Sequence, residues 1–458
     1  MANIRGCDLV EHLNALAFYG DEHCDYKGLL AFGRVKPKCI GRSLTGRFGR
    51  KVFYAVMMFL TINSLIMPIL GSQRSQSISS YGTIRESTGH VTLLAIKVDN
   101  LSPLTDGQLR NLAKYDLLIT YAASYNKAQI EKLRLYNPLM KIFGYRNVAF
   151  VDEHSTQDIE LARANGWVLR DNAGNEVYEK NYPSLKLVDV GNADYREWVA
   201  ERIRYLMTEL VSIDGVFGDG TSALIDLYTV SARPINPATG ALYEDQDWRD
   251  GTIALVRRVK EVTRMEYLAN GGGMMSGSGT TGFWRNQQLA EALIEVVDGV
   301  FLEGFIRWET ENWRSASAWK QDVEFLDYLN KRSKTAIAWT QSTSTPPPGA
   351  TQYQVAMYGY ASYLLAASGD KSYFRAKHYD EEFYNVTRID VGHPLEEYHI
   401  RDDNPVYERE FSKSLILLNP TDNNYTLNLR GNYETIEGKL ILGLELPAKN
   451  GIILIKRP

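Results

Sequence analysis

Two short stretches hold the side chains best suited to chemistry, and they read as copies of one device. The first runs Asp214-Gly-Val-Phe-Gly-Asp219 and the second Asp298-Gly-Val-Phe-Leu-Glu303. Each is an apolar run that an Asp-Gly pair opens and a carboxylate ends. Alternation along a strand puts Phe217 and Asp219 on one face, and Phe301 and Glu303 likewise. Two parallel strands of one barrel would then present an acid at the same height and in the same direction. Cleavage of a glycosidic bond needs such a pair: one carboxylate to attack or stabilise the anomeric carbon, one carboxylic acid to protonate the departing oxygen. Asp219 suits the first role, and Glu303, with its longer arm, suits the second. Burial among aromatic residues is expected to raise the acid's pKa toward the working pH. A separation of about 5–5.5 Å between the two carboxyl groups would mark retention of anomeric configuration, and about 6.5–9.5 Å inversion. In the rival reading either residue caps the following helix or pairs with an arginine such as Arg307.

Around this pair stand candidates for holding a sugar. Asp99 ends the first predicted strand, Tyr121 the second, and Tyr145-Arg146 the third. Arg307 and Trp308 follow Glu303 closely, and Trp284 and Trp339 fall in or beside loops at the same end. The 28 Tyr and 8 Trp of the chain matter here because flat rings suit the C–H faces of sugars, although most such rings pack in cores. Asp189 is read as support for the turn before a helix. His154, His378 and His393 stand alone, and no Gly-x-Ser-x-Gly elbow points to a serine hydrolase. The three cysteines all lie early, at Cys7, Cys24 and Cys39, with no Cys-x-x-Cys and no His-Glu-x-x-His. No metal site and no cofactor are expected.

The positioning elements follow from the periodicity. Over 90–385 apolar β-runs alternate with amphipathic helical stretches. Strands are predicted at 91–98, 116–121, 141–145, 214–219, 267–270, 299–303, 335–340 and 372–376. Helices are predicted near 106–114, 127–135, 194–211, 248–264, 285–297, 316–331 and 353–366, with Asp194 and Glu197 as a start signal for the third. The stretch 166–190, with its Asp-Asn-Ala-Gly-Asn turn, is an elaborated loop leaving the third strand. Eight strands alternating with helices give the fold class α/β, a (β/α)8 TIM barrel. A doubly wound sheet would need a nucleotide fingerprint that is absent. The Gly/Ser-rich run 271–282 lacks the Gly-Lys-Ser/Thr ending of a phosphate loop. Short β-runs at 414–418, 425–429, 438–442 and 451–455 predict a small C-terminal antiparallel β-domain over 386–458, expected to pack against the barrel.

Length and charge fit this plan. The 458 residues exceed the roughly 250 of a barrel and leave room for the terminal modules. A formal net charge of −4 with interspersed signs excludes an electrostatic nucleic-acid binder. Residues 1–51 form a basic, irregular extension. Residues 52–71 are uncharged and mostly apolar and read as an export signal or membrane anchor, leaving the remainder outside the cytoplasm. Met57 or Met58 is an alternative start, and 72–89 is a polar linker.

Several motifs are familiar. Leu187-Val-Asp-Val-Gly-Asn192, Tyr195-Arg-Glu-Trp198 and Asp214-Gly-Val-Phe-Gly-Asp219 resemble hypothetical glycosyl hydrolase family 15, a relative of endo-α-1,4-polygalactosaminidase-type barrels. Tyr407-Glu-Arg-Glu-Phe411, the run 415–420 and Leu446-Pro-Ala-Lys-Asn-Gly451 resemble the β-domain appended to such barrels. The resemblance spans roughly 91–456. It implies a nucleophile on strand four and an acid/base on strand six, hence Asp219 and Glu303. The sequence departs from the pattern at Gly218, where many relatives have a larger residue, and at Glu303, where several clans have Asp. The expected activity is hydrolysis of a polysaccharide or glycan outside the cytoplasm, with carbohydrate as partner and the membrane too if 52–71 is uncleaved. The alternatives are a non-catalytic carbohydrate-binding barrel at the cell surface and a lyase.

Overall fold

In the computed structural model, eight parallel strands close into a barrel. They are β1 (Thr92–Lys97), β2 (Leu117–Thr120), β3 (Lys141–Asn147), β6 (Gly215–Asp219), β7 (Glu266–Asn270), β8 (Gly299–Glu303), β9 (Thr335–Gln341) and β10 (Ser372–Lys377). Around the barrel they run in the order β1-β10-β9-β8-β7-β6-β3-β2. The structure describes residues 92–97, 104–121, 127–225, 229–270, 281–309, 311–341, 345–377 and 380–457, all within one compact unit, 87–458. The predicted leader at 52–71 lies outside the described residues. Among the described residues, no helix is long and apolar enough to cross a membrane.

The helices that cover the barrel are α1 (Asp106–Leu112), α2 (Lys127–Tyr136), α3 (Thr156–Ala164), α4 (Ala193–Arg204), α5 (Asp245–Thr263), the short α6 (Thr281–Arg285), α7 (Gln287–Val296), α8 (Ala316–Lys331), α9 (Gln352–Ala366) and α10 (Asp380–Thr387). The start of α4 differs from the expectation. Asn192, not Asp194, is the cap: its side-chain oxygen accepts the N–H groups of Asp194 and Tyr195. A side chain in the extended residue before the first turn can reach those orphan donors, and one already inside the turn cannot. A π-helical turn, Tyr205–Leu210, then carries α4 onward. It sets Met207 against β3, where Gly144 makes room: a Cβ there would lie 1.9 Å from the Met207 sulfur. The excursion after β3 contains a two-stranded antiparallel pair, β4 (Phe150–Asp152) with β5 (Leu185–Leu187).

The two Asp-Gly devices do the same job at the barrel floor. The Asp214 carboxylate accepts the Ile142 N–H at 2.8 Å, and the Asp298 carboxylate accepts the Tyr267 N–H at 2.8 Å. Each opening aspartate thus pins the start of the neighbouring strand, and the repeated phenylalanines land at the same depth. Leu117, Phe143, Phe217, Leu268, Phe301, Ile337 and Tyr373 fill the barrel interior as one apolar cluster. On the outer face of β6, Gly218 leaves space for Tyr267: a Cβ would stand 1.9 Å from the phenolic oxygen, which bonds Thr221 at 2.8 Å. Gly218→Ala is therefore expected to destabilise the barrel by about 1–3 kcal/mol, read as a lower urea midpoint at unchanged slope.

The C-terminal sheet has six strands, paired antiparallel throughout. They are β11 (His399–Ile400), β12 (Tyr407–Glu410), β13 (Ser414–Asn419), β14 (Tyr425–Glu434), β15 (Leu440–Leu446) and β16 (Asn450–Lys456). Their order across the sheet is β11-β12-β13-β16-β14-β15. Helix α9 explains how the domain sits. Every residue from Val355 to Ala366 is buried, as expected of a helix with apolar groups all round. One side covers the barrel at β9, and the other takes β16 so closely that a Cβ on Gly451 would fall 2.5 Å from the Ala361 side chain.

Candidate functional site

At the carboxyl ends of the barrel strands the polar side chains converge. Asp219 and Glu303 both lie at this rim and both are half-buried. One side chain touches the two of them: the Asn270 amide nitrogen donates to Asp219 Oδ1 at 3.0 Å and to Glu303 Oε2 at 3.0 Å. Two such bonds from one nitrogen keep those oxygens within about 6 Å of each other. The rival reading fails for Arg307, which pairs with neither acid.

Asp219 is held by donors on every side. Its Oδ2 accepts from the Tyr145 hydroxyl and from Asn147 Nδ2 at 3.3 Å, and its Oδ1 accepts from the Gly220 N–H at 2.9 Å besides Asn270. Asn147 has its amide direction fixed, because its oxygen accepts the N–H groups of Ala149 and Phe150. The nitrogen must then face Asp219. Gly220 has φ +69°, a turn that brings its N–H back onto the carboxylate it follows. Burial pushes the Asp219 carboxyl above its ordinary value, while Tyr145, Gly220, Asn270 and Asn147, in that order, pull it down without fully offsetting burial. Tyr145 is itself pushed well above an ordinary phenol, first by burial and then by the Asp219 charge, so it remains a proton donor.

The floor beneath the acids is aromatic. Tyr145 stacks on Phe217 at 6.0 Å, Phe217 meets Phe301 edge-on at 5.3 Å, and Phe301 leans on Trp339 at 5.4 Å. Trp339 is the register partner of Glu303, and the Arg375 guanidinium lies 5.1 Å above its ring. Tyr121 packs edge-on against Tyr145 at 4.8 Å and is 39% exposed, so its ring forms part of the open wall. Trp308 lies against Gly304, directly after Glu303: a Cβ on that glycine would be 2.6 Å from the indole.

Three predicted site residues point elsewhere. Arg146 follows Tyr145 on β3 and so faces the opposite side of the wall. Its guanidinium pairs with Asp158 of α3 at 2.9 Å and lies over the Trp198 ring of α4. Trp284 sits on α6, meets Phe283 edge-on and donates its N–H to the Gln321 carbonyl of α8 at 3.2 Å, which fixes it among the outer helices. Arg307 is only 1% exposed and spends its donors on the carbonyls of Glu311, Gln341 and Thr345. It ties the loop after β8 to the end of β9. Asp99 lies outside the described residues. Asp189 supports its turn as expected, accepting the Gly191 N–H and the Tyr243 hydroxyl, and burial raises its pKa.

Asn147 and Asn270 are the functional candidates that the sequence reading passed over. A usable signal existed. Each ends its strand two residues beyond an inward apolar side chain, Tyr145 in one case and Leu268 in the other, so the same alternation that selected Asp219 selects them.

Comparison with solved structures returns sugar-active enzymes at low identity. The glycoside hydrolase domain of PelA from Pseudomonas aeruginosa is 16% identical, over 63% of this chain and 96% of that one, with a TM-score of 0.40. A noncanonic maltogenic alpha-amylase, AmyB, from Thermotoga neapolitana is 12% identical, over 79% and 98%, with a TM-score of 0.46. An alpha-amylase from Lactobacillus plantarum is 10% identical, over 81% and 99%, with a TM-score of 0.47. No curated protein sequence matches the chain. The family model gives a direct assignment: over residues 133–415, more than half its length, the chain belongs to hypothetical glycosyl hydrolase family 15.

Proposed function

We propose that this protein is a retaining glycosidase that cleaves a polysaccharide or glycan outside the cytoplasm, with Asp219 as nucleophile and Glu303 as general acid/base. Family membership supports the reaction class. The observation that carries the rest is the Asn270 amide, which joins the two carboxylates at 3.0 Å each. Carboxylate oxygens held within about 6 Å of each other suit direct attack by one carboxylate better than the wider gap that inversion needs for its water. In the first step Asp219 attacks the anomeric carbon while Glu303 gives its proton to the leaving oxygen. In the second, Glu303 takes a proton from water, which displaces Asp219. The aromatic floor offers a face for the sugar ring, with Tyr121, Trp308 and Trp339 as its stacking partners. The placement outside the cytoplasm rests on the apolar run at 52–71 and its basic flank.

A polysaccharide screen of the chain from about residue 83 onward tests the reaction class by the appearance of new reducing ends. For a substrate that turns over, NMR of the first product formed is expected to show the anomeric configuration of the substrate. First-formed product of opposite configuration would overturn the retaining assignment, and an unsaturated sugar end would replace hydrolysis by elimination.

The pH profile makes a separate prediction. Asp219 must be ionised to attack, so the acid limb of kcat/KM follows its pKa. That limb is expected above the ordinary carboxylate value of 3.8, because burial raises this group. Tyr145→Phe removes a donor that favours the ionised form, so the limb should move to still higher pH. A shift to lower pH would contradict the assignment of Asp219.

A further inference from the structure

The chain leaving Glu303 takes a strained path. Gly304 has φ +80° and Ile306 has φ +68°. The left-handed region is an outlier for a β-branched side chain, and such a residue stays there only when its surroundings over-determine it. The bend at Gly304 is further fixed from both sides. Its N–H donates to the Trp339 carbonyl at 3.0 Å, and the Trp308 ring lies against it. A segment this constrained, joined directly to the proposed acid/base, sets where that carboxyl points.

The holding groups form a chain that runs out of the barrel. Asp322 of α8 is fully buried; its Oδ2 accepts the Ile306 N–H at 3.1 Å and Arg314 Nη1 at 2.5 Å. Arg314 Nη2 lies 3.3 Å from Glu311 Oε2, and that oxygen also accepts the Trp308 N–H at 3.2 Å. The last link belongs to the β-domain. Lys449, between β15 and β16, is 4% exposed and has φ +50°. Its ammonium donates to the Arg314 carbonyl at 2.9 Å and the Pro420 carbonyl at 2.7 Å, and pairs with Asp422 at 3.2 Å. An ammonium taken out of water needs all its hydrogens satisfied, so its place is dictated by where the acceptors stand. One acceptor is on the barrel loop and the others are on the β13–β14 turn.

We propose that Lys449 is a positioning residue for Glu303: through Arg314 and Glu311 the β-domain fixes the loop on which the acid/base depends. The β-domain is then a brace of the active site. The catalytic consequence rests on the glycosidase reading; the mechanical one does not.

Two variants test it in the full chain. Lys449→Met keeps the length of the side chain and removes its charge. Glu311→Gln weakens the link inside the loop and leaves the β-domain untouched, so it tests the loop half of the chain of contacts by itself. Hydrogen exchange is expected to speed up by about tenfold or more at the amides of 304–309 in both variants, with α8 unchanged. On any substrate that the screen finds, kcat should fall roughly 10- to 100-fold, as misplacement of a reacting group costs, while KM stays within about twofold. Exchange at 304–309 equal to wild type in both variants would overturn the proposal. So would a Lys449→Met protein that loosens only at 414–455, or a faster-exchanging loop with unchanged kcat. A screen without turnover would sink the glycosidase reading, and the exchange result would still decide the brace.

Discussion

Asp219→Asn is expected to lower turnover by roughly 10⁴-fold or more while leaving the protein at least as stable as wild type. The activity loss follows from chemistry: a neutral amide is a poor nucleophile toward an anomeric carbon. The stability result follows from linkage. Burial raises the Asp219 pKa in the folded chain above 3.8, so the folded state holds that proton more tightly than the unfolded state. The stability this gives is fully present below the unfolded pKa and is lost as pH rises through the folded pKa. At neutral pH the wild type therefore carries a buried charge at a cost that the neutral amide of the variant does not incur. The amide also fits the existing donors. Its oxygen can keep the Gly220 and Asn270 bonds, and its nitrogen can donate to the Tyr145 hydroxyl, leaving only the Asn147 contact, 3.3 Å in the wild type, unfavourable. Thermal unfolding at neutral pH checks this, and a clearly lower Tm would show that the carboxylate holds the barrel rim together. Glu303→Gln separates the second role. It should cost about 10²- to 10⁴-fold on a substrate with a sugar leaving group. On an aryl glycoside whose phenolate leaves unassisted, the first step needs no proton and the loss should be far smaller. Equal losses on both substrates would remove Glu303 from the acid role.

How far the sequence reaches into this site depends on periodicity. The barrel was legible because strands and helices repeat at fixed periods, and the Asp-Gly devices marked β6 and β8. Strand alternation then placed Asp219 and Glu303 on the inner face. The same rule, applied to β3, separates Tyr145 from Arg146, since neighbours on a strand cannot share a face. It also promotes Asn147. Loops obey no such period. Arg307 and Trp308 are adjacent in sequence, yet one is buried against backbone carbonyls and the other lies on Gly304. The left-handed turns at Gly304 and Ile306 decide that, and nothing in the composition of the loop announces a left-handed isoleucine. Trp284 departs from expectation for a related reason: its short helix follows the Gly-rich run, and the chain packs it outward against α8. Lys449 was visible only as one letter of a terminal motif, because its partners lie far away in sequence.

Asn270 is the residue whose replacement should separate geometry from charge. Asn270→Ala removes a donor that both carboxylates share and leaves each acid with less restraint. Loss of a preorganised donor at a reacting charge typically costs about 10²- to 10³-fold in kcat, and a similar loss is expected here. Asn270→Asp keeps the shape and reverses the sign of the interaction. A third carboxyl would then stand about 3 Å from Asp219 and Glu303, where like charges cannot all ionise. Protons would be shared among the three, and the acid limb of kcat/KM should move to higher pH than in Asn270→Ala. Removal of the donor alone also raises the Asp219 pKa, because Asn270 favours the ionised form. The predicted order of acid limbs is therefore wild type lowest, Asn270→Ala next and Asn270→Asp highest. The three limbs would be read on one substrate across one buffer series. Coinciding limbs would mean that Asn270 does not act on the ionisation of the pair, and the contacts at 3.0 Å would then serve the strand ends alone.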